Sequence, residues 1–275
     1  SLMEYPPADV PGPLGYLKCL ETFTTHSTQH TMILPTSIAS MHQRLELAEI
    51  MADGASLRDK PIISLAATMT TPLIMTKDNV EIALAAIDRG IPLFLVECSM
   101  AGTTSPYSFA GTIVISNVEA LFPIILAQAL SPGHPVIYAF DPSTTDMHSG
   151  KVRYYPPEKM LFRLAATQMG RYYGLPTRGI FCGSMVGRFD PQFGMENVLF
   201  ALSDIVGGQN MLHSLGSCYN ANGVSEEKVI IDDAMAAMVE RLAKGIQVDE
   251  FRLGLETIHK VGPGKHYLGE KMTRT

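Results

Sequence analysis

Short, almost wholly apolar runs alternate along this chain with longer stretches whose apolar residues return every three or four positions. The run at 62–67, IISLAA, has the length and density of a buried strand. Runs of the same kind recur at 31–35, 93–98, 135–140, 177–182 and 209–214. Between them, 37–52 sets Ile38, Met41, Leu45 and Ala48 on one helical face and stops near Gly54. The same periodicity predicts helices over 17–29, 78–88, a long stretch ending near Leu130, 157–173, 195–206, and from about Ser225 or Glu227 to Lys244. Residues 3–15, with four prolines and two glycines, read as a loop.

Strand, polar loop and helix thus repeat about six times at roughly 30–45-residue spacing, the pattern of parallel βαβ units. Links from helix to strand are short, as in Arg89-Gly90-Ile91-Pro92 and Tyr173-Gly174-Leu175-Pro176, whereas the loops leaving each strand are longer and polar. That asymmetry favours an α/β fold of the TIM-type (β/α) barrel class over a doubly wound sheet, with its site at the strand C-terminal ends. Neither G-x-G-x-x-G after an early strand nor a P-loop is present. Six strands fall short of eight, so the expectation is one barrel domain over 3–275, incomplete at its N-terminus. Ser1-Leu2 ahead of Met3 is set aside as a cloning remnant.

Composition narrows the class. In 275 residues, 46% hydrophobic and 17% charged, there is material for a large apolar interior. A net charge of -6 without a basic cluster argues against nucleic acid as a partner. Cys19, Cys98, Cys182 and Cys218 are far apart, without a CxxC pair or secretion signal, which suits a reducing, cytoplasmic setting. Unbroken apolar runs stop well short of ~20 residues, so no membrane span is expected. Sixteen Met with no Trp point to a core filled by flexible thioethers.

The stretch 177–197, TRGIFCGSMVGRFDPQFGMEN, concentrates candidate chemistry: an apolar strand opens into a loop bearing Ser184, Arg188, Phe189, Asp190 and Gln192. Strand-end positions elsewhere add Glu97, Tyr138, Asp141, Asp146, His148, His213 and Tyr219, and Arg178 begins the fifth run. Each has two readings. Glu97 closes the run LFLVE and is either a site acid or half of a buried pair. His213 is a catalyst or a hydrogen-bonded core histidine. Asp141 and Asp190 each precede proline and are site groups or turn formers. His26 and His30 have helical ligand spacing but no third ligand nearby, so no metal is expected. Residues alone reach a barrel-like enzyme with an acid- and amide-lined mouth, and no reaction.

Several segments in order resemble the trimethylamine methyltransferase (MttB) superfamily: MAGTTSPYSFAG (100–111), SNVEAL (116–121), STTDMHSG (143–150), YYGLPTRG (172–179), DPQFGMEN (190–197), SEEKVIIDDAM (225–235), KGIQVDE (244–250) and VGPGKHYLG (261–269). The resemblance covers most of the chain from about residue 90. It implies a TIM-barrel enzyme that moves a methyl group from a methylated amine to the Co(I) centre of a separate corrinoid protein. It also implies a cytoplasmic homo-oligomer that binds no metal or cofactor of its own. Family proteins are longer at the N-terminus, and the archetypal trimethylamine enzymes carry pyrrolysine about where 184–188 fall; here those positions hold standard residues.

A quaternary ammonium already has a neutral amine as leaving group, which favours a betaine-type substrate over trimethylamine. Such a cation is held by aromatic faces and carboxylates, and a betaine carboxylate by a bidentate donor. The expected catalytic candidates are Glu97, Asp190 and His213, and the expected substrate-binding residues Tyr138, Asp146, His148, Arg178, Arg188, Phe189, Gln192 and Tyr219. The alternative is a non-catalytic barrel module that binds a methylated ammonium or a corrinoid protein. A barrel lyase or aldolase would want a strand-end lysine, and Lys60, Lys77 and Lys151 lie outside the strand cores.

Overall fold

A computed structural model describes residues 2–274. In chain order the elements are β1 (Leu2–Met3), α1 (Gly12–His26), β2 (Thr31–Ile33), α2 (Ile38–Met51), β3 (Ile63–Thr68), α3 (Lys77–Arg89), β4 (Leu93–Val96), β5 (Met100–Ala101) and α4 (Phe109–Leu130). There follow β6 (Val136–Ile137), β7 (Ser143–Thr145), β8 (Val152–Arg153), α5 (Pro157–Tyr172), β9 (Arg178–Ile180), α6 (Pro191–Gly207) and β10 (Met211–His213). The chain ends with β11 (Ser217–Cys218), β12 (Gly223–Val224), α7 (Glu226–Ala243), α8 (Glu250–Leu253), α9 (Leu255–Val261) and α10 (Lys271–Arg274).

The strands β1, β2, β3, β4 and β6 form one sheet in that order, every neighbouring pair parallel. A parallel bridge between Tyr138 and Thr177 carries the pairing from β6 towards β9, and β10 lies parallel beside β9. Each of these strands therefore neighbours the next one along the chain, as the βαβ pattern predicts.

Side-chain alternation sorts the strand residues onto two faces. Ile33, Leu65, Ala67, Leu93 and Leu95 pack outward against Leu45, Ala48, Ile82, Ala86 and Ile124 of the helices. Met32, Ala66 and Phe94 take the other face, where Ile137 and Met211 join them. Met211 of β10 meets residues of β2, β3 and β4 there, so the sheet is strongly curved and its inner face converges. The thioethers Met32 and Met211 help fill that narrow space, a use suited to their flexibility.

Loop chemistry fixes where each helix starts. Ser37, Thr76, Ser108, Asp190 and Ser225 each accept a hydrogen bond from the backbone N–H three residues on, a cap worth about 1 kcal/mol. Two segments beyond the strand ends are structured: β5, β7 and β8 form a small sheet, and β11 and β12 an antiparallel hairpin.

Some expectations need correction. α4 is 22 residues of mostly apolar sequence, long and apolar enough to cross a membrane by length and composition, although Ser116, Asn117 and Glu119 keep its unbroken apolar runs short. It nevertheless buries Thr112, Ser116 and Glu119, and Glu119 Oε1 accepts from the Leu73 N–H at 2.6 Å. α6 starts at Pro191, not near 195, because Asp190 caps it and proline suits the first turn. Leu2, set aside above with Ser1, pairs with Thr31 in β1; Ser1 lies outside the described residues.

α5 approaches the sheet closely at Gly170, where an added Cβ would come within 2.1 Å of Thr177 Cγ2. Thr177 is β-branched and cannot swing away freely. Gly170→Ala is therefore expected to lower stability by about 1–3 kcal/mol in urea unfolding, because overpacking outweighs alanine's helix propensity. A stabilised variant would contradict that contact.

Candidate functional site

The inner face of the curved sheet opens beyond β4, β6 and β10 into a cavity of about 380 Å³. Its apolar wall includes Met32, Leu34, Phe94 and Val96, and its polar groups include Glu97, Asp141, Arg178 and His213. That volume and mixture fit a small molecule, in the range of ~300–1,000 Å³ typical of ligand sites.

Glu97 follows directly on β4 and is buried. Its Oε2 accepts from the Ser99 N–H at 2.8 Å and from Ser99 Oγ at 2.7 Å, and Oε1 accepts from the Asp141 N–H at 2.7 Å. Burial nonetheless raises its pKa, the hydrogen bonds from Ser99 and Asp141 opposing the shift.

Asp141 is held differently. Lys159 Nζ lies 3.0 Å from Oδ1, Arg163 Nε 3.6 Å from the same oxygen, and the Tyr154 hydroxyl donates to Oδ2 at 3.1 Å. Burial alone would raise this carboxyl, but Lys159, Arg163 and Arg178 together outweigh it and hold it below its ordinary value. The Lys159 ammonium also stands 3.8 Å from the Tyr154 ring centroid. Arg163 reaches on to Asp204 Oδ2 of α6 at 3.2 Å. At Asp204 the burial effect exceeds the pull of Arg163 and pushes the pKa up to about 7.

Arg178 opens β9 and crosses the inner face. Its Nη1 is 2.8 Å from His213 Nε2, Nη2 donates to the Leu95 carbonyl at 2.8 Å, and the guanidinium lies 5.1 Å from the Phe94 ring centroid. Arginine has no acceptor, so His213 Nε2 must accept, and the remaining ring proton on Nδ1 faces Ser214 Oγ at 2.5 Å. His213 is thus neutral; burial and Arg178 push its pKa well below the usual imidazole range. Arg178 Nε is buried without a hydrogen-bond partner.

The stretch of cavity wall after β10 is strained. Ser214 has φ 71, and Tyr219, Asn220 and Ala221 follow one another at φ 53, 57 and 66. Left-handed residues other than glycine cost roughly 1–2 kcal/mol each and concentrate at functional sites. Asn220 pins this wall: Oδ1 accepts from the Tyr154 N–H at 2.8 Å and Nδ2 donates to the Val152 carbonyl at 3.3 Å.

With this geometry in place, comparison with known proteins is decisive. The trimethylamine methyltransferase (MTTB) family profile matches residues 3–275. The chain belongs to that family. It is 32% identical over 270 residues to the glycine betaine methyltransferase of Desulfitobacterium hafniense (strain Y51), covering 98% of this chain and 56% of that protein. Against the trimethylamine methyltransferase MttB of Methanosarcina thermophila the identity is 32% over 222 residues, 81% of this chain and 46% of the relative. The proline betaine:corrinoid methyltransferase of Eubacterium limosum is 26% identical over 226 residues, 81% of this chain and 47% of its own. This family member thus spans about half the length of these relatives.

Of the residues singled out by sequence, Glu97, Asp141, Arg178 and His213 line one cavity. The others are placed elsewhere. Asp190 is the exposed N-cap of α6, its Oδ1 accepting from the Phe193 N–H at 3.0 Å. Tyr138 is turned outward into the helix layer, its hydroxyl donating to Asn117 Oδ1 at 2.5 Å. Asp146 accepts from the His148 N–H at 3.0 Å and from Ser149 Oγ at 2.7 Å, so it shapes a turn in which His148 is exposed. Arg188 and Phe189 are exposed, Phe189 stacking edge-on against Phe193, and Gln192 donates to Glu196 at 2.7 Å. Tyr219 is exposed and covers Gly187, while the residues after it line the cavity. The groups that sequence reasoning missed are Lys159, Arg163, Tyr154 and Asn220; the Tyr154-Tyr155 pair before the α5 prolines was the available signal.

Asp204 gives a pH signature. Its folded pKa lies above the unfolded ~4, so the native state keeps a proton that the unfolded chain releases, and stability on its account falls as pH rises from about 4 to 7. In denaturant titrations across that window, Asp204→Asn is expected to remove this part of the slope. An unchanged slope would contradict the protonated, buried carboxyl.

Proposed function

We propose that the chain's strands are part of a TIM-type (β/α) barrel whose cavity binds a betaine-like quaternary amine for transfer of one N-methyl group to the Co(I) of a corrinoid carried by a separate protein. The observation that carries this reading is that one small cavity is lined by groups of both charge types, the Glu97 and Asp141 carboxyls and the Arg178 guanidinium. A betaine carries both charges. Membership in a methyltransferase family supplies the reaction class, and the glycine betaine and proline betaine enzymes among its relatives support a zwitterionic substrate.

The carboxylate of Asp141, kept ionised by Lys159 and Arg163, receives the cationic end. Phe94, Tyr154 and Tyr155 supply aromatic surface nearby. Arg178, its guanidinium fixed by His213 and Leu95 on the cavity wall, receives the carboxylate end. His213 acts as an acceptor that orients Arg178, not as a proton donor. In the transfer, the C–N bond breaks with its electron pair staying on nitrogen, a neutral tertiary amine leaves, and the methyl passes to the acceptor. No proton has to move, so the chain's contribution is binding, alignment and exclusion of water. The cavity takes the small amine; a corrinoid macrocycle is larger and stays with its carrier at the mouth. Residues 184–188 carry no electrophile that would activate a tertiary amine.

The test is methyl transfer to a Co(I) corrinoid protein, followed by cobalamin absorbance, with glycine betaine and with tetramethylammonium. Arg178→Met is expected to lower kcat/KM for betaine at least tenfold, the loss of about 1.5–3 kcal/mol for a hydrogen bond to a charged group, while sparing the carboxylate-free cation. Equal losses on both would contradict the role given to Arg178. Binding of betaine without transfer would favour a non-catalytic module.

A further inference from the structure

Four aromatic rings line the cavity, those of Tyr5, Phe94, Tyr154 and Tyr155. Two of them already carry a cation of the protein. The Arg178 guanidinium lies 5.1 Å from the Phe94 ring centroid, and the Lys159 ammonium 3.8 Å from that of Tyr154. Behind the wall, Arg163 occupies Phe200 in the same way at 4.8 Å. Among the described residues, no cation stands over Tyr5 or Tyr155. A second cation on an occupied ring is repelled by the first, so a ligand's ammonium gains most from a ring that is still free.

Tyr155 is the fixed member of the free pair. It is 2% exposed and stands between β8 and the prolines that open α5. Tyr154 meets its ring edge-on at 5.0 Å between centroids, and Phe200 does so at 5.3 Å. Its hydroxyl is 3.2 Å from Ser217 Oγ, and its ring packs so closely on Gly183 that a Cβ there would have no room. A ring held on these sides has little freedom left to lose when a ligand binds. Burial raises the pKa of the Tyr155 hydroxyl, and Tyr5 and Asp141 add to the rise, so the ionised Asp141 carboxylate stands near this ring. Tyr5, by contrast, is half-buried on the segment between β1 and α1.

Tyr155 also borders a second space. A groove of about 200 Å³, lined by Met160, Met185 and Phe200 among others, lies beyond it. Among the described residues, Tyr155 alone lines both the groove and the cavity. Its ring is therefore the partition that ends the cavity on that side.

We infer that Tyr155 is the ring on which the substrate's quaternary ammonium rests, and that the same ring limits how large the groups on nitrogen can be. The inference rests on the betaine reading of this cavity.

Calorimetric titration of the whole chain with glycine betaine, tetramethylammonium and tetraethylammonium tests it. Tyr155→Phe is the reference, and di- and pentafluorinated phenylalanine at the same position drain the ring's negative face while keeping its shape. Affinity for tetramethylammonium is expected to fall stepwise with fluorine, by about tenfold or more at the pentafluorinated ring. The same series at Phe94, whose ring faces Arg178, is expected to fall less. Tyr155→Ala, which joins cavity to groove, is expected to turn the preference from tetramethylammonium to tetraethylammonium. The fluorinated series keeps the ring's shape and so decides the matter even where the alanine variant unfolds. Tetramethylammonium and betaine binding that ignores fluorine at Tyr155, or falls equally for Phe94, would overturn the inference and leave the betaine reading standing. Binding of neither ligand to the unmodified chain would overturn both.

Discussion

The carboxylate of Asp141 is the point on which the rest of this structure turns. It lies just beyond β6, and Lys159 and Arg163 of α5 converge on it from the neighbouring helix. Arg163 then joins α5 to Asp204 of α6, with its guanidinium 4.8 Å from the Phe200 ring centroid. Buried charges are tolerated only when neighbours compensate them. Here the compensation links a strand end to two helices, and its sign matters: two cations around one acid keep that acid ionised at the cavity wall. Removing one partner would leave an unpaired charge in the interior, so the network fixes both packing and electrostatics.

The same logic separates the two acids of the site. Glu97 receives three hydrogen bonds from neutral donors, and burial still raises its pKa. Asp141 has cations, and its pKa falls. On the same cavity wall, Arg178 holds His213 and Leu95 through its two terminal nitrogens. The site thus combines charged groups of both signs with strained loop backbone.

Much of the framework was legible in the sequence because it rests on local rules. The apolar runs over 62–67 and 93–98 read as strands and hold β3 and β4, and the apolar spacing over 37–52 and 78–88 reads as helix and holds α2 and α3. Glu97 stood out because an acid ending an apolar strand must be compensated, and it proved to be hydrogen-bonded within a cavity. The Asp141 network was not legible: Lys159 is 18 residues away in sequence, and Arg163 and Asp204 are 41 apart. On α5 both cations look like ordinary solvent-facing residues. Asp190 misled for the opposite reason, since a local rule, the N-cap, accounted for an acid that strand-end position had suggested for the site. Tyr138 followed the strand's period of two, which turns it away from the cavity into the helix layer.

The central claim is that this cavity recognises a positive and a negative charge in one small ligand. Calorimetric titration of the unmodified chain with glycine betaine and with 3,3-dimethylbutanoate, which has the same shape but carbon in place of the quaternary nitrogen, tests it most directly. At least tenfold tighter binding of the betaine, about 1.4 kcal/mol or more, is the predicted result. Equal affinity for the two would show that the cavity reads shape and carboxylate alone and would contradict the account.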